Sequence, residues 1–271
     1  MNILEKIVAR KREEVAERRE LFPVRLLEKS IYFATPAVSF TRYLKRKDKS
    51  GIIAEFKRRS PSRGDINPYA SVERVSIGYM QAGASALSVL TDEQFFGGRN
   101  ADLTEARRFN FCPILRKDFI IDEYQILEAR SIGADVILLI AECLDKNRIE
   151  QLARTARDLG MEVLMEVHSR PQLDKLNDYI DAVGVNNRNL EDFVTDVQTS
   201  FSLASEIPDK FVRVSESGLD DPTVVAELRR AGFSGFLIGE YFMKASFPGQ
   251  RCREFINRVK ALEGADIVAG S

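Results

Sequence analysis

The 271-residue chain has no tryptophan, one histidine and three cysteines, and each scarcity closes off a class of function. A lone histidine, His168, nearly excludes a His-based metal site, because such sites draw on several imidazole or thiolate ligands. The cysteines Cys112, Cys143 and Cys252 are odd in number, far apart and form no CxxC, which argues for a reduced intracellular setting. No apolar run approaches the ~20 residues of a membrane span. The N-terminal stretch MNILEKIVARKREEV lacks a continuous apolar segment and is too acidic for a transit peptide. Together these absences point to a soluble, cytoplasmic protein. An excess of one charge is missing too, with 40 basic against 41 acidic residues. Neither nucleic acid nor an anionic membrane surface is therefore expected as the main partner. The basic run Arg10-Lys11-Arg12, with Arg18 and Arg19, is interleaved with Glu13, Glu14, Glu17 and Glu20, and reads as a solvated helix face.

What is present is alternation. Residues 1–50 carry helical spacing at Ile3, Leu4, Ile7, Val8 and Val15, then short helical pieces after Pro23 and around Phe40 to Leu44. From Ile52 onward, apolar strand segments recur at 52–56, 85–90, 113–116, 135–140, 161–167, 181–186, 211–215 and 235–239. Amphipathic segments separate them, including one from Pro171 to Leu176 and a last one from Cys252 to Leu262. Gly83, Gly133, Gly160 and Gly232 stand where a helix stops and a strand begins, the place for a left-handed glycine. Strands alternating with helices imply a parallel sheet with helical crossovers, and this count and length fit an α/β (β/α)8 TIM barrel with a helical N-terminal extension. A doubly wound sheet is the runner-up, but Ser60-Pro61-Ser62-Arg63-Gly64 is not its Gly-rich fingerprint. No linker splits the repeat, so one domain is expected: extension 1–50, barrel 51–262, and a disordered tail over 263–271.

In such a barrel the active site lies at the C-terminal ends of the strands. The first strand ends in Glu55 and Lys57, two apart and so on one face. The third ends in Lys117 and Asp118, the fifth in Glu166, the sixth in Asn186 and Arg188, and the seventh in Ser215-Glu216-Ser217-Gly218. Any one of these could be a structural ion pair or the start of a loop. Lys and Glu at several strand ends on one rim point instead to a converging polar site. The small residues at Ser217-Gly218 and Ile238-Gly239-Glu240 let backbone N–H groups approach an anion, and the last two loops are this fold's customary phosphate site.

The motifs AEFKRRSPSRG, SVLTDEQFFGG, ILRKDFIIDEYQI, LMEVHS, GVNNRNL, VSESGL and GFLIGEYFM occur in register from about Ile52 to Met243. Together they resemble the indole-3-glycerol-phosphate synthase family of tryptophan biosynthesis. The resemblance implies a barrel that acts on 1-(2-carboxyphenylamino)-1-deoxyribulose 5-phosphate, closing the pyrrole ring with loss of carbon dioxide and water, with no cofactor and no metal. It implies Lys117 as general acid and Glu166 as base. Lys57 would face the substrate carboxylate, and Glu55 would orient the lysines. Asn186 and Glu216 would hold hydroxyls and the polar network. Ser60, Gly218 and Gly239 would contact phosphate, with Arg188 nearby and Ser217 also binding substrate, and Phe96 and Phe119 would form the apolar wall for the aromatic ring. One departure stands out: after Gly239 the family often offers a small hydroxyl residue, whereas here Glu240 follows. Its carboxylate is expected to point away while its backbone N–H binds. His168 matches no catalytic position and reads as a loop residue. A monomer is expected, with docking of pathway enzymes left open. Two other readings remain. The isomerase of the same pathway would favour a Cys/Asp acid–base pair, which no strand end supplies. A non-catalytic sugar-phosphate sensor could dispense with Lys117 or Glu166, and both are present.

Overall fold

A computed structural model describes residues 2–189 and 193–269. Helix α1 (Ile3–Leu21) starts at a capping box, in which Asn2 accepts from the Glu5 N–H and the Glu5 carboxylate accepts from the Asn2 N–H. Short helices α2 (Val24–Leu27) and α3 (Phe40–Leu44) complete the extension, as the spacing predicts. The barrel strands follow: β1 (Ile52–Phe56), β2 (Ala86–Leu90), β3 (Ile114–Lys117), β4 (Val136–Ile140), β5 (Glu162–Val167), β6 (Ala182–Asn186), β7 (Val212–Glu216) and β8 (Gly235–Ile238). All eight pair in parallel and β8 closes onto β1, which removes every sheet edge. The doubly wound alternative is thereby set aside.

The crossover helices are α4 (Val72–Ala82), α5 (Asn100–Phe109), α6 (Glu123–Ile132), α7 (Lys146–Asp158), α8 (Gln198–Leu203), α9 (Pro222–Arg230) and α11 (Pro248–Ala269). A short extra helix, α10 (Glu240–Met243), follows β8. Between β5 and β6 the crossover is a 3-10 helix, Arg170–Lys175, rather than an α-helix. Leu176 already has extended backbone (φ −62°, ψ 142°), so the helical turns stop there and the chain runs on to β6. The segment after β1 is also more ordered than a simple turn: Arg59–Ser60 pairs antiparallel with Gly64–Asp65 in a small hairpin. Helix α11 runs on through Leu262 to Ala269, where a tail is expected from the sequence; no proline stops it, and residues 270 and 271 lie outside the description.

Alternation along each strand divides the core in two. Outward residues such as Ile52, Ala54 and Phe56 pack on the helices, the larger cluster. Inward residues such as Ile53, Leu115, Leu138, Leu164, Val214 and Leu237 fill the barrel. Two parts of the extension complete that inner cluster from opposite ends. Phe40 and Leu44 of α3 lie at the base, where Ser39 and the Thr41 N–H bond Glu162 at the start of β5. Ile7 of α1 lies at the top, over the strand C-termini.

Candidate active site

Polar side chains replace apolar ones at the last inward position of several strands. Leu164 is followed two residues later by Glu166, Val214 by Glu216, and Ile53 by Glu55. Glu216 has room because β6 carries Gly184 beside it; a Cβ there would collide with the Glu216 carboxylate. The Lys117 ammonium lies 2.9 Å from Glu166 Oε2 and 3.5 Å from Glu216 Oε2. Asn186 Nδ2 donates to Glu166 Oε1 at 3.1 Å. Lys57 Nζ pairs with Glu55 Oε1 at 2.8 Å, and the Ser88 hydroxyl donates to Glu55 Oε2 at 3.3 Å. Both pairs face the same cavity of about 570 Å³, which opens at the strand C-termini.

Burial and charge pull the titrations of these groups apart. Burial by itself would strip the proton from Lys117, but Glu166, Glu216 and Glu55 outweigh it and raise its pKa. Burial pushes Glu166 up, yet Lys117 and His168 pull harder, so this carboxyl is lowered and stays ionised. Glu216 goes the other way. Burial raises it, Lys117 opposes, and the neighbouring Glu166 and Glu55 charges add to the rise. Its buried Oε1 makes no hydrogen bond among the described residues, which also disfavours the ionised form. Two carboxyls with opposed shifts around one ammonium make an acid–base constellation.

The cavity has two unlike ends. On one side Phe96 and Phe119 stand with ring centroids 5.9 Å apart, roofed by Ile3, Leu4 and Ile7 of α1. On the other, the chain after β7 turns through left-handed backbone at Ser217 (φ 70°) and Gly218 (φ 72°). There Arg188 reaches Ser62 Oγ at 2.7 Å and Glu240 Oε2 at 3.2 Å, and Ser60 is buried beside them.

The family model for indole-3-glycerol phosphate synthase matches residues 4–255. An indole-3-glycerol phosphate synthase of Bacteroides thetaiotaomicron is 49% identical over 259 residues, covering 96% of this chain and 99% of that protein. One from Magnetococcus marinus is 42% identical, covering 95% and 99%. The chain belongs to the indole-3-glycerol phosphate synthase family. Solved structures are alike in fold alone. 3-Hexulose-6-phosphate synthase of Salmonella typhimurium has a TM-score of 0.61 at 11% identity, over 78% of this chain and 98% of that one.

In this indole-3-glycerol phosphate synthase family member, the residues singled out in the sequence meet around one cavity. Glu55, Lys57, Lys117, Glu166, Asn186 and Glu216 line it, as do Ser60, Phe96, Phe119, Arg188, Ser217, Gly218, Gly239 and Glu240. Of the motif GVNNRNL, Leu190 lies outside the described residues. Glu240 is not turned away as expected. Its carboxylate lines the cavity rim and pairs with Arg188, with Arg63 at 3.1 Å and with Lys244 at 2.6 Å. The surplus of cations around it makes that orientation favourable. His168 lies in the loop that follows β5, as expected, but it is half-buried there, its Nε2 3.5 Å from Glu166 Oε1. Lys11 is no part of a solvated face. It is 1% exposed, whereas its neighbour Arg10 does pair along the surface with Glu13 and Glu17.

Other parts of the site were missed from sequence. Ile3, Leu4 and Ile7 show helical spacing, which says that a face is buried but not against what. Arg63 and Lys244 lie in loops, where charge is ordinary, and Gly184 looks like any strand glycine.

Proposed function

We propose that the chain is an indole-3-glycerol phosphate synthase, a carboxy-lyase of tryptophan biosynthesis, acting on 1-(2-carboxyphenylamino)-1-deoxyribulose 5-phosphate. The observation that carries the mechanism is Lys117 within 2.9 Å of Glu166 and 3.5 Å of Glu216, in one cavity with an aromatic wall and a cationic rim. The substrate has the same polarity: a carboxyphenyl ring at one end and a phosphate at the other.

Three events must be served. The ring carbon bearing the carboxylate bonds to the ketone carbon, and the ketone oxygen takes a proton; Lys117 is the donor. Carbon dioxide then leaves from that ring carbon, its bonding electrons restoring aromaticity. Finally the new hydroxyl departs as water with a second proton, while a base removes a proton from the methylene next to nitrogen. Glu166, held ionised, is that base, and Lys57 supplies the second proton. Lys57 also faces the substrate carboxylate, with Glu55 orienting it at 2.8 Å. Asn186 and Glu216 hold the sugar hydroxyls and the polar network. Phe96 and Phe119 flank the ring.

The phosphate is read into the Ser217, Gly218, Gly239 and Ser60 end, with the Glu240 N–H and Arg188. Positive φ at Gly218 turns bare backbone toward that space, and the loops after β7 and β8 are where this fold receives phosphate. The free thiols Cys112, Cys143 and Cys252 support a reduced, cytoplasmic setting, and extension and barrel act as one domain. Purified protein mixed with the carboxyphenylamino ribulose phosphate is expected to develop indole fluorescence, undiminished by exhaustive EDTA treatment. Absence of turnover overturns the reading, and a divalent-ion requirement restored by add-back overturns its cofactor-free form.

A further inference from the structure

Lys11 is unexplained by the chemistry above, yet it is among the most deeply buried charges of the molecule. It lies one turn beyond Ile7 on the buried face of α1, the helix that roofs the aromatic end of the cavity. Its ammonium sits 3.0 Å from Asp92 Oδ2, 3.0 Å from Asp118 Oδ1 and 2.8 Å from Glu14 Oε2. Each aspartate has a second task. Asp92 Oδ1 accepts the N–H groups of Phe95 at 2.8 Å and Phe96 at 3.2 Å. Asp118 Oδ1 accepts the Phe119 N–H at 2.8 Å, while Oδ2 accepts from the Thr91 hydroxyl at 2.6 Å and from Arg116 at 3.2 Å. One ammonium thus joins two carboxylates, and each carboxylate holds the backbone of one ring of the wall.

We propose that Lys11 is a positioning residue for the aromatic-ring subsite: pinned between Asp92 and Asp118, it sets the spacing of Phe96 and Phe119 and so the grip on the substrate's carboxyphenyl group. The physical reason is electrostatic. Without the ammonium, Asp92 and Asp118 would face each other across a dry gap, their side chains 2% and 0% exposed. Two such carboxylates repel, and relief comes through movement of the loops they hold. Asp118 follows Lys117 directly, but Arg116 and Thr91 continue to hold its other oxygen. The disturbance therefore falls on the wall more than on the general acid.

The inference rests on the proposed activity, in which that wall receives the ring. It is tested with Lys11→Met, which keeps the stem, and with Asp92→Ala, which removes the acceptor for Phe95 and Phe96 without burying a new charge. In folded protein each variant is expected to raise KM about ten-fold with kcat changed less than about three-fold, since displaced binding groups chiefly cost binding. Competitive inhibition by inorganic phosphate, a probe of the opposite end, is expected to stay within about two-fold. The double variant is expected to be no worse than the poorer single one, because both act through one chain of contacts. Should Lys11→Met fail to fold, Asp92→Ala carries the test alone. A KM within two-fold of the parent, or equal loss of substrate and phosphate affinity, overturns the inference and leaves Lys11 as a staple between helix and barrel. An inactive parent overturns the functional reading itself, and is seen before any variant is made.

Discussion

A lysine buried alone gives up its proton; Lys117 keeps its own because Glu166, Glu216 and Glu55 outweigh the cost of burial. The resting site therefore holds a proton ready, and in the proposed mechanism the charge developing on the ketone oxygen draws it across. Lys117→Met keeps the bulk and removes the proton, so kcat should fall about 10²–10⁴-fold with a modest change in KM. Lys57→Met should raise KM as well as lower kcat, since the carboxylate proposed as its partner is already present in the bound substrate. Lys117→Arg is the control: charge is kept, but a guanidinium is a far poorer acid. Near-normal kcat in Lys117→Arg would reduce Lys117 to an electrostatic anchor and move the acid to Lys57.

The loops after β7 and β8 carry the phosphate proposal. Ser217 and Gly218 both have positive φ, a conformation that costs a side-chain-bearing residue and costs glycine little. A Cβ on Gly218 would also stand 2.6 Å from Thr195 Cγ2 in the neighbouring loop. Gly218→Val is thus expected to weaken a phosphorylated ligand at least about ten-fold more than its dephosphorylated analogue, through lost backbone approach. Equal weakening, measured by titration of both ligands, places the phosphate elsewhere. Elements of this kind were readable in advance: Gly83, Gly133, Gly160 and Gly232 end their helices at positive φ, as their positions predict. The 3-10 crossover after β5 was not readable, because the spacing of Pro171 to Leu176 does not separate 3-10 turns from α turns over so short a segment.

Across the whole molecule, the site stores an electrostatic conflict that stability should report. Glu216 has its pKa raised, so the native state binds that proton more tightly than the unfolded chain does. Its favourable contribution is full below the unfolded carboxylate value, about 4.3, and is lost as pH rises through the native one. Lys117 is raised and Glu166 lowered, so their contributions stay constant between about pH 5 and 9. Glu216→Gln cannot ionise. Its stability relative to the parent should therefore climb with pH over that range, reaching on the order of 1 kcal/mol or more at the alkaline end. Denaturant melts at several pH values check this, and a difference that stays flat removes the conflict. Activity is expected to fall in the same variant, as when strain is kept for function.

What the sequence determined by itself was whatever is written in local period and spacing. Apolar runs punctuated by glycine specified a closed parallel barrel, and charged residues at strand ends marked the rim. Motifs in register named the family. Tertiary structure alone decided which charges are buried together. Lys11, inside a run of alternating charge, looks like a surface residue, since nothing local distinguishes it from Arg10. It becomes a core ammonium only because α1 crosses the loops carrying Asp92 and Asp118, far away in sequence. Glu240 likewise faces the cavity because Arg63, Arg188 and Lys244 converge on it from separate segments. Burial and long-range charge pairing depend on where the chain returns to itself, and no short-range pattern encodes that.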